Sequence, residues 1–226
     1  MDILQTMRQR KSIRAFKPDP VKKRTLKSIL EAAVRAPSAM NSQPWEFTVV
    51  GGEPLERIKQ ENAARFRSGD EGAPEFSSGG WPKESVYRKR QVDLAKGLFA
   101  LMDIKREDKE KRVAWMERGF RLFDAPAAIF ISVDRSLPES DPLLDIGAVM
   151  QNICLAALDF GLGTCIATQG VTYPDVIRKH ASIGEDKRII IAVAIGFPDW
   201  DFPANAFDSP REPVEDLTDW VGLEGS

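Results

Sequence analysis

Apolar side chains recur along this chain in two ways, at a spacing of three to four residues and in short unbroken runs, and the alternation predicts helices interleaved with strands. Ile3, Leu4 and Met7 share one face of a short first helix over residues 2–9. Leu26, Ile29, Leu30, Ala33 and Val34 repeat at helical spacing over 21–35, and Pro37 stops the pattern. The β-rich run 46–50 ends at Gly51-Gly52 and reads as a strand followed by a turn. A helix carrying Leu55, Ile58 and Phe66 is expected after Pro54. Residues 68–82 mix Gly, Pro and acidic side chains without any period and read as a surface loop, long enough for a lid or binding segment. Helical stretches at 92–102 and 108–123 follow. The runs 127–133 and 189–195 are continuously apolar, as in strands buried on both faces. Between them, 142–160 is the most apolar helix, with Ile146, Val149, Ile153, Ala157 and Phe160 as its core-facing stripe and Gly161 as its cap. A strand at 164–167 comes next. Beyond Gly196, four prolines exclude a helix or an interior strand, so 198–226 reads as an extended arm. With no repeat and no linker, residues 1–226 read as a single domain.

Charge and composition then remove function classes. The 226 residues carry 32 basic and 34 acidic side chains, a balance that gives no basic face for nucleic acid. No run approaches the roughly 20 apolar residues of a membrane span. The N-terminus lacks the pattern of a signal peptide, so a cytoplasmic location is expected. Cys154 and Cys165 are too few for a disulfide framework or a four-ligand metal site and are expected to be buried thiols. The single histidine, His180, closes a helix behind Arg178 and Lys179, where a cation suits the helix dipole. Hydrolytic triads and multi-histidine metal sites would depend on that one imidazole. No metal and no catalytic side chain is therefore assigned, and any hard chemistry falls to a bound cofactor. Gly161-Leu162-Gly163 lacks the third glycine and the preceding strand of a dinucleotide fingerprint.

The chemistry-bearing cluster is the string RQRKSIRAF. If the chain leaves the first helix in an extended conformation, Arg10, Ser12 and Arg14 project to one side, with Lys11 between them. Two guanidiniums and a hydroxyl suit a phosphate and a flat ring edge rich in acceptors, whereas a solvated basic surface is the plain alternative. The string RAPSAMNSQPWEF, residues 35–47, forms a rigid turn with exposed donors anchored by Trp45.

Together with DIGAVMQNICLAALDFGLGTC, AVAIGFPD and a late PRE, these strings resemble the FMN-dependent nitroreductase family across nearly the whole chain. The resemblance implies an α+β fold with a central mixed β-sheet flanked by helices, in a domain-swapped type of homodimer whose long apolar helix builds much of the interface. It implies FMN bound between subunits. Arg10 and Ser12 would hold its phosphate or ribityl oxygens, with Lys11 nearby and Arg14 at the pyrimidine edge. Pro37, Ser38, Ala39 and Asn41 would come from the partner subunit. Gln169 and Gly170 would offer backbone N–H to flavin N5, and Arg211 would reach the phosphate. An Asn and a second Lys that many members use are not matched, and the segment 68–123 is longer than in compact members, like an inserted lid.

The activity implied is an NAD(P)H-dependent nitroreductase, a flavoprotein oxidoreductase. NADH or NADPH would deliver hydride, and a nitroaromatic or quinone would then collect it in a ping-pong cycle. Trp81 and Tyr87 could stack on such a small-molecule electron acceptor, or simply pack. Two alternatives stay open: a reductive dehalogenase or flavin-destructase relative, using Glu84, Tyr87 and Lys89 in the insertion, and a flavin-binding protein without turnover.

Overall fold

The computed structural model describes residues 2–76 and 80–223. Residues 77–79 of the expected loop and 224–226 of the expected arm lie outside that set. The order of elements is α1 (Ile3–Gln9), α2 (Lys23–Ala33), β1 (Glu46–Gly51), α3 (Gly52–Arg67), α4 (Val86–Leu101), α5 (Lys109–Phe120), β2 (Ala127–Asp134), α6 (Leu143–Asp159), β3 (Gly163–Ala167), α7 (Pro174–Ala181) and β4 (Lys187–Gly196).

The four strands form one sheet in the order β1-β2-β4-β3. The two unbroken apolar runs, β2 and β4, occupy its centre, and both faces of each are covered. On one face β2 and β4 contribute Ala128, Phe130, Ala192 and Ala194, which pack with Leu55 and Ile58 of α3, Phe120 of α5 and Ile177 of α7. On the other, Ile129, Ile131, Val193 and Ile195 pack with Leu26 and Ile29 of α2 and with Ile146, Val149 and Ile153 of α6. The result is a sheet between two helical layers. A mixed sheet was the expectation. The strands pair antiparallel throughout, and the one parallel pairing among the described residues is the isolated bridge from Ser12 to Thr164.

Helix α6 ends in a Schellman turn, with Leu162 N–H on Ala157 C=O at 3.0 Å and Gly161 N–H on Leu158 C=O at 3.0 Å. Gly161 takes a φ of 68°, which a side chain would resist. The same turn corrects one expectation: Phe160 is the capping residue, swung off the buried stripe and 41% exposed. Helix α4 begins at Val86, one and a half turns before the expected start, because the Ser85 hydroxyl accepts from Arg88 N–H at 3.2 Å and caps it.

Candidate functional site

After α1 the chain runs extended alongside β3. Ile13 N–H donates to Thr164 C=O at 2.9 Å and Lys17 N–H to Phe197 C=O at 2.8 Å. Ile13, Ala15 and Phe16 turn into the core while Arg10, Ser12 and Arg14 stay partly open. The approach is close enough that a Cβ on Gly163 would lie 2.5 Å from Ile13 Cγ1, so glycine is required there. Ser12 and Arg14 thereby flank Cys165, whose thiol burial pushes up to about 11, against the pull of Arg14 and a hydrogen bond from Ser12.

Arg14 is the unusual group. Burial lowers its affinity for a proton, yet among the described residues no carboxylate lies within salt-bridge distance. Its only side-chain hydrogen bond among those residues runs from Nη1 to Ser12 C=O at 3.3 Å. A guanidinium that has lost water without gaining a counter-charge is a receptor for electron-rich acceptors. Beside it, Arg118 of α5 donates from Nη2 to Arg14 C=O at 2.9 Å and lies 4.5 Å over the Phe202 ring. Burial lowers the pKa of Arg118 as well, and its Nε is buried with no hydrogen-bond partner. Nothing in the sequence marked Arg118, one charge among many in α5.

Gln169 and Gly170 follow β3 and join the same region. The Gln169 side chain donates to Met116 C=O at 3.4 Å, and the Gly170 carbonyl accepts from buried Asn62 at 3.4 Å. A Cβ on Gly170 would meet Leu122 Cδ2 at 2.3 Å, so glycine is what lets the Leu122 side chain pack against this turn. Leu122, Phe123 and Asp124 hold positive φ values of 53°, 55° and 60°, a left-handed turn that costs conformational energy. Arg121 locks it with hydrogen bonds of 2.9 and 2.7 Å to the Asp124 carboxylate.

The second motif lies elsewhere. Ala39 N–H donates to the Asp145 carboxylate at 3.3 Å in the first turn of α6, and Ser38 Oγ accepts from Gln43 N–H at 3.0 Å. Met40, Asn41 and Gln43 have positive φ, and Met40 is fully exposed. Arg10 is close enough to Cys154 of α6 to favour its thiolate electrostatically. Among the described residues no hydrogen bond or ion pair joins Pro37, Ser38, Ala39 or Asn41 to Arg10 or Arg14.

Trp81 and Tyr87 do meet, with ring centroids 5.2 Å apart, on one wall of a groove of about 890 Å³ between α4 and the arm. Arg211 lines this groove, its Nη1 donating to Ser209 Oγ at 2.7 Å. It is thus placed with the aromatics. The arm is tied on both sides, through Lys11 to Asp208 at 2.6 Å and Arg90 to Glu212 at 3.0 Å. His180 bonds Glu61 at 2.8 Å beside Lys179, at the C-terminus of α7.

Cys154 and Cys165 are both buried, and burial raises both thiol pKa values. Because Cys165 is held neutral in the fold up to about 11 but ionises near 9.0 when unfolded, its contribution to stability is present below pH 9 and lost as pH rises toward 11. Iodoacetamide at pH 8 is expected to leave both thiols of the folded protein unmodified and to label both after denaturation. Mass spectrometry reads the result, and labelling of the native chain would contradict the burial.

A basic segment laid along β3, with Arg14 half-buried and without a carboxylate partner among the described residues, on a sheet between two helical layers, suits an anionic cofactor. The family model described as "Nitroreductase family" matches residues 7–197, and the chain belongs to that family. It is 32% identical to the nitrobenzene nitroreductase of Ectopseudomonas oleovorans over 95% of each chain. It is 44% identical to the NADH dehydrogenase of Thermus thermophilus over 94% of this chain and 92% of the relative. Among solved structures, the FMN- and NADPH-dependent nitroreductase NfnB from Sphigopyxis sp. strain HMH superposes with a TM-score of 0.92, at 30% identity, over 99% of this chain and all of that one.

Proposed function

We propose that this chain is an NAD(P)H-dependent nitroreductase: it binds FMN and reduces nitroaromatic or quinone-type acceptors by ping-pong hydride transfer. The observation that carries the reading is Arg14, half-buried beside Ser12 and without a carboxylate partner among the described residues. FMN, when bound, supplies the atom that accepts hydride from the nicotinamide and hands it to the acceptor. The chain supplies the rest. Arg10, Lys11 and Ser12 bind phosphate and ribityl oxygens through charge-assisted hydrogen bonds. Arg14 meets the pyrimidine edge and offsets the negative charge that gathers there on reduction. The rigid backbone at Gln169 and Gly170 presents N–H without a side chain in the way. Trp81 and Tyr87 offer flat faces to the acceptor.

The reading includes a homodimer. Pro37, Ser38, Ala39 and Asn41 make no hydrogen bond to Arg14 of their own chain among the described residues, and a second copy would bring them to it. Large apolar side chains also stand open where a partner would cover them: Ile3, Leu4 and Met7 on α1, Leu144 on α6, and Val214, Leu217 and Trp220 on the arm. It treats residues 1–226 as one domain, with 68–123 as a lid-like insertion and 198–226 as an arm that carries Arg211 to the cofactor phosphate. No helix among the described residues is long and apolar enough to cross a membrane, and the reading places the enzyme in the cytoplasm beside its nicotinamide supply.

The test is an absorption spectrum of the purified protein before and after each nicotinamide is added. Flavin bands that bleach with NADH or NADPH and return with a nitroarene, with parallel lines in steady-state double-reciprocal plots, are expected. A protein that stays colourless after reconstitution with FMN would overturn the reading, and intersecting lines would overturn the ping-pong order.

A further inference from the structure

Asn205 lies in the arm, 191 positions from Arg14, and its side chain has no exposed surface. All of its hydrogen-bond partners among the described residues are backbone groups. Oδ1 accepts from Arg14 N–H at 2.6 Å, and Nδ2 donates to Ala15 C=O at 2.9 Å and to Asp199 C=O at 2.7 Å. The neighbours of Arg14 are held differently: Ile13 N–H pairs with Thr164 C=O at 2.9 Å and Lys17 N–H with Phe197 C=O at 2.8 Å, backbone to backbone. The Arg14 N–H points to the other side of the extended chain, away from β3. There a side-chain amide takes the place of a further strand, and Arg118 Nη2 takes the carbonyl at 2.9 Å.

Both backbone groups of Arg14, half-buried and without a carboxylate partner among the described residues, are thus gripped by side chains from distant elements. An apolar side chain at 205 would leave Arg14 N–H, Ala15 C=O and Asp199 C=O without this partner, so the amide is what fixes these three backbone groups relative to one another. An asparagine here orients a peptide, and the direction of that peptide sets where the Arg14 side chain departs.

We propose that Asn205 is a positioning residue for the flavin, aiming the Arg14 guanidinium at the acceptor-rich edge of the ring. The proposal rests on the reading of Arg14 given above. Asn205 touches neither cofactor nor substrate, and its effect passes entirely through Arg14. The arm that carries it is also tied to Lys11 through Asp208 at 2.6 Å, so both ends of the basic segment depend on the same docked stretch.

The experiment is a double-mutant cycle of Asn205→Asp with Arg14→Ala, reading the FMN dissociation constant of the apoprotein by flavin fluorescence and the two-electron midpoint potential of the loaded protein. Asn205→Asp keeps size and the Oδ1 acceptor but turns an oxygen toward two carbonyls. With Arg14 present, about tenfold weaker FMN binding and a more negative potential are expected. With Arg14→Ala already in place, the same change is expected to add little. Equal losses in both backgrounds, or no change in either measurement, would overturn the proposal. If the aspartate variant does not fold, Asn205→Ser, which keeps one donor and one acceptor, carries the same cycle. A wild-type apoprotein that fails to bind FMN would overturn the functional reading itself, separately from the role of Asn205.

Discussion

Arg14→Ala is expected to purify nearly colourless and to bind FMN about 10- to 100-fold more weakly than the wild type, the worth of one or two hydrogen bonds from a charged donor. The protein should nevertheless fold. No carboxylate among the described residues pairs with Arg14, so truncation leaves no buried counter-charge behind. Its backbone bonds to Asn205 and Arg118 do not involve the side chain that is removed. Arg14→Lys should recover only part of the affinity, because an ammonium keeps the charge but not the planar fork that meets two acceptors at once. Fluorescence titration and thermal melting together check the prediction. An alanine variant with full flavin content would remove the main support for the cofactor reading.

What made the fold legible was burial on both sides of β2 and β4, since such strands must be apolar at every position and therefore stand out as unbroken runs. The apolar stripe of α6 and the glycine that ends it were readable for a similar local reason. The start of α4 was not. Its first turns, from Val86 to Arg90, carry no apolar period, and only the Ser85 hydroxyl marks the boundary. Sheet order was equally hidden, because β1 pairs with β2 across three helices and the segments that join them.

The site divides along the same line. The alternation of RQRKSIRAF is a property of neighbouring residues, so Arg10, Ser12 and Arg14 could be singled out before any contact was known. Asn205 and Arg118 gain their meaning only from chain segments that come together in space, and both sit in stretches whose composition, proline-rich in one case and heavily charged in the other, hides a single residue. Placement of Pro37 to Asn41 depends on something further still. Asp145 ties that turn to the first turn of α6, a contact between distant segments that no reading of one string could supply.

The largest effect on stability is expected at Glu75, outside the cofactor cleft. Its carboxylate is 11% exposed and accepts two hydrogen bonds from Arg178 Nη2, at 2.9 and 2.8 Å, and one from Ile189 N–H at 2.8 Å, with Arg135 as a further partner. Arg178 is itself only 9% exposed. Glu75→Gln preserves the shape and removes the charge, leaving the nearly buried Arg178 without its buried carboxylate. Breaking one side of such a buried pair costs about 3–5 kcal/mol. For a chain of this length that corresponds to a melting temperature lower by about 6–20 °C. The consequence reaches the insertion. Asp70 C=O accepts from Tyr173 Oη at 2.7 Å and Ala73 N–H donates to Thr172 C=O at 3.1 Å, so Glu75 is the last of three pins that lead the chain from α3 across α7 toward α4. Differential scanning fluorimetry on the apoprotein reads the shift, and FMN affinity at 20 °C should stay within about twofold, since surface and core changes remote from a site add independently. A Glu75→Gln variant that melts at the wild-type temperature would mean that Arg178 and Arg135 satisfy one another's surroundings without the carboxylate, and that the first half of the insertion is held by its backbone bonds alone.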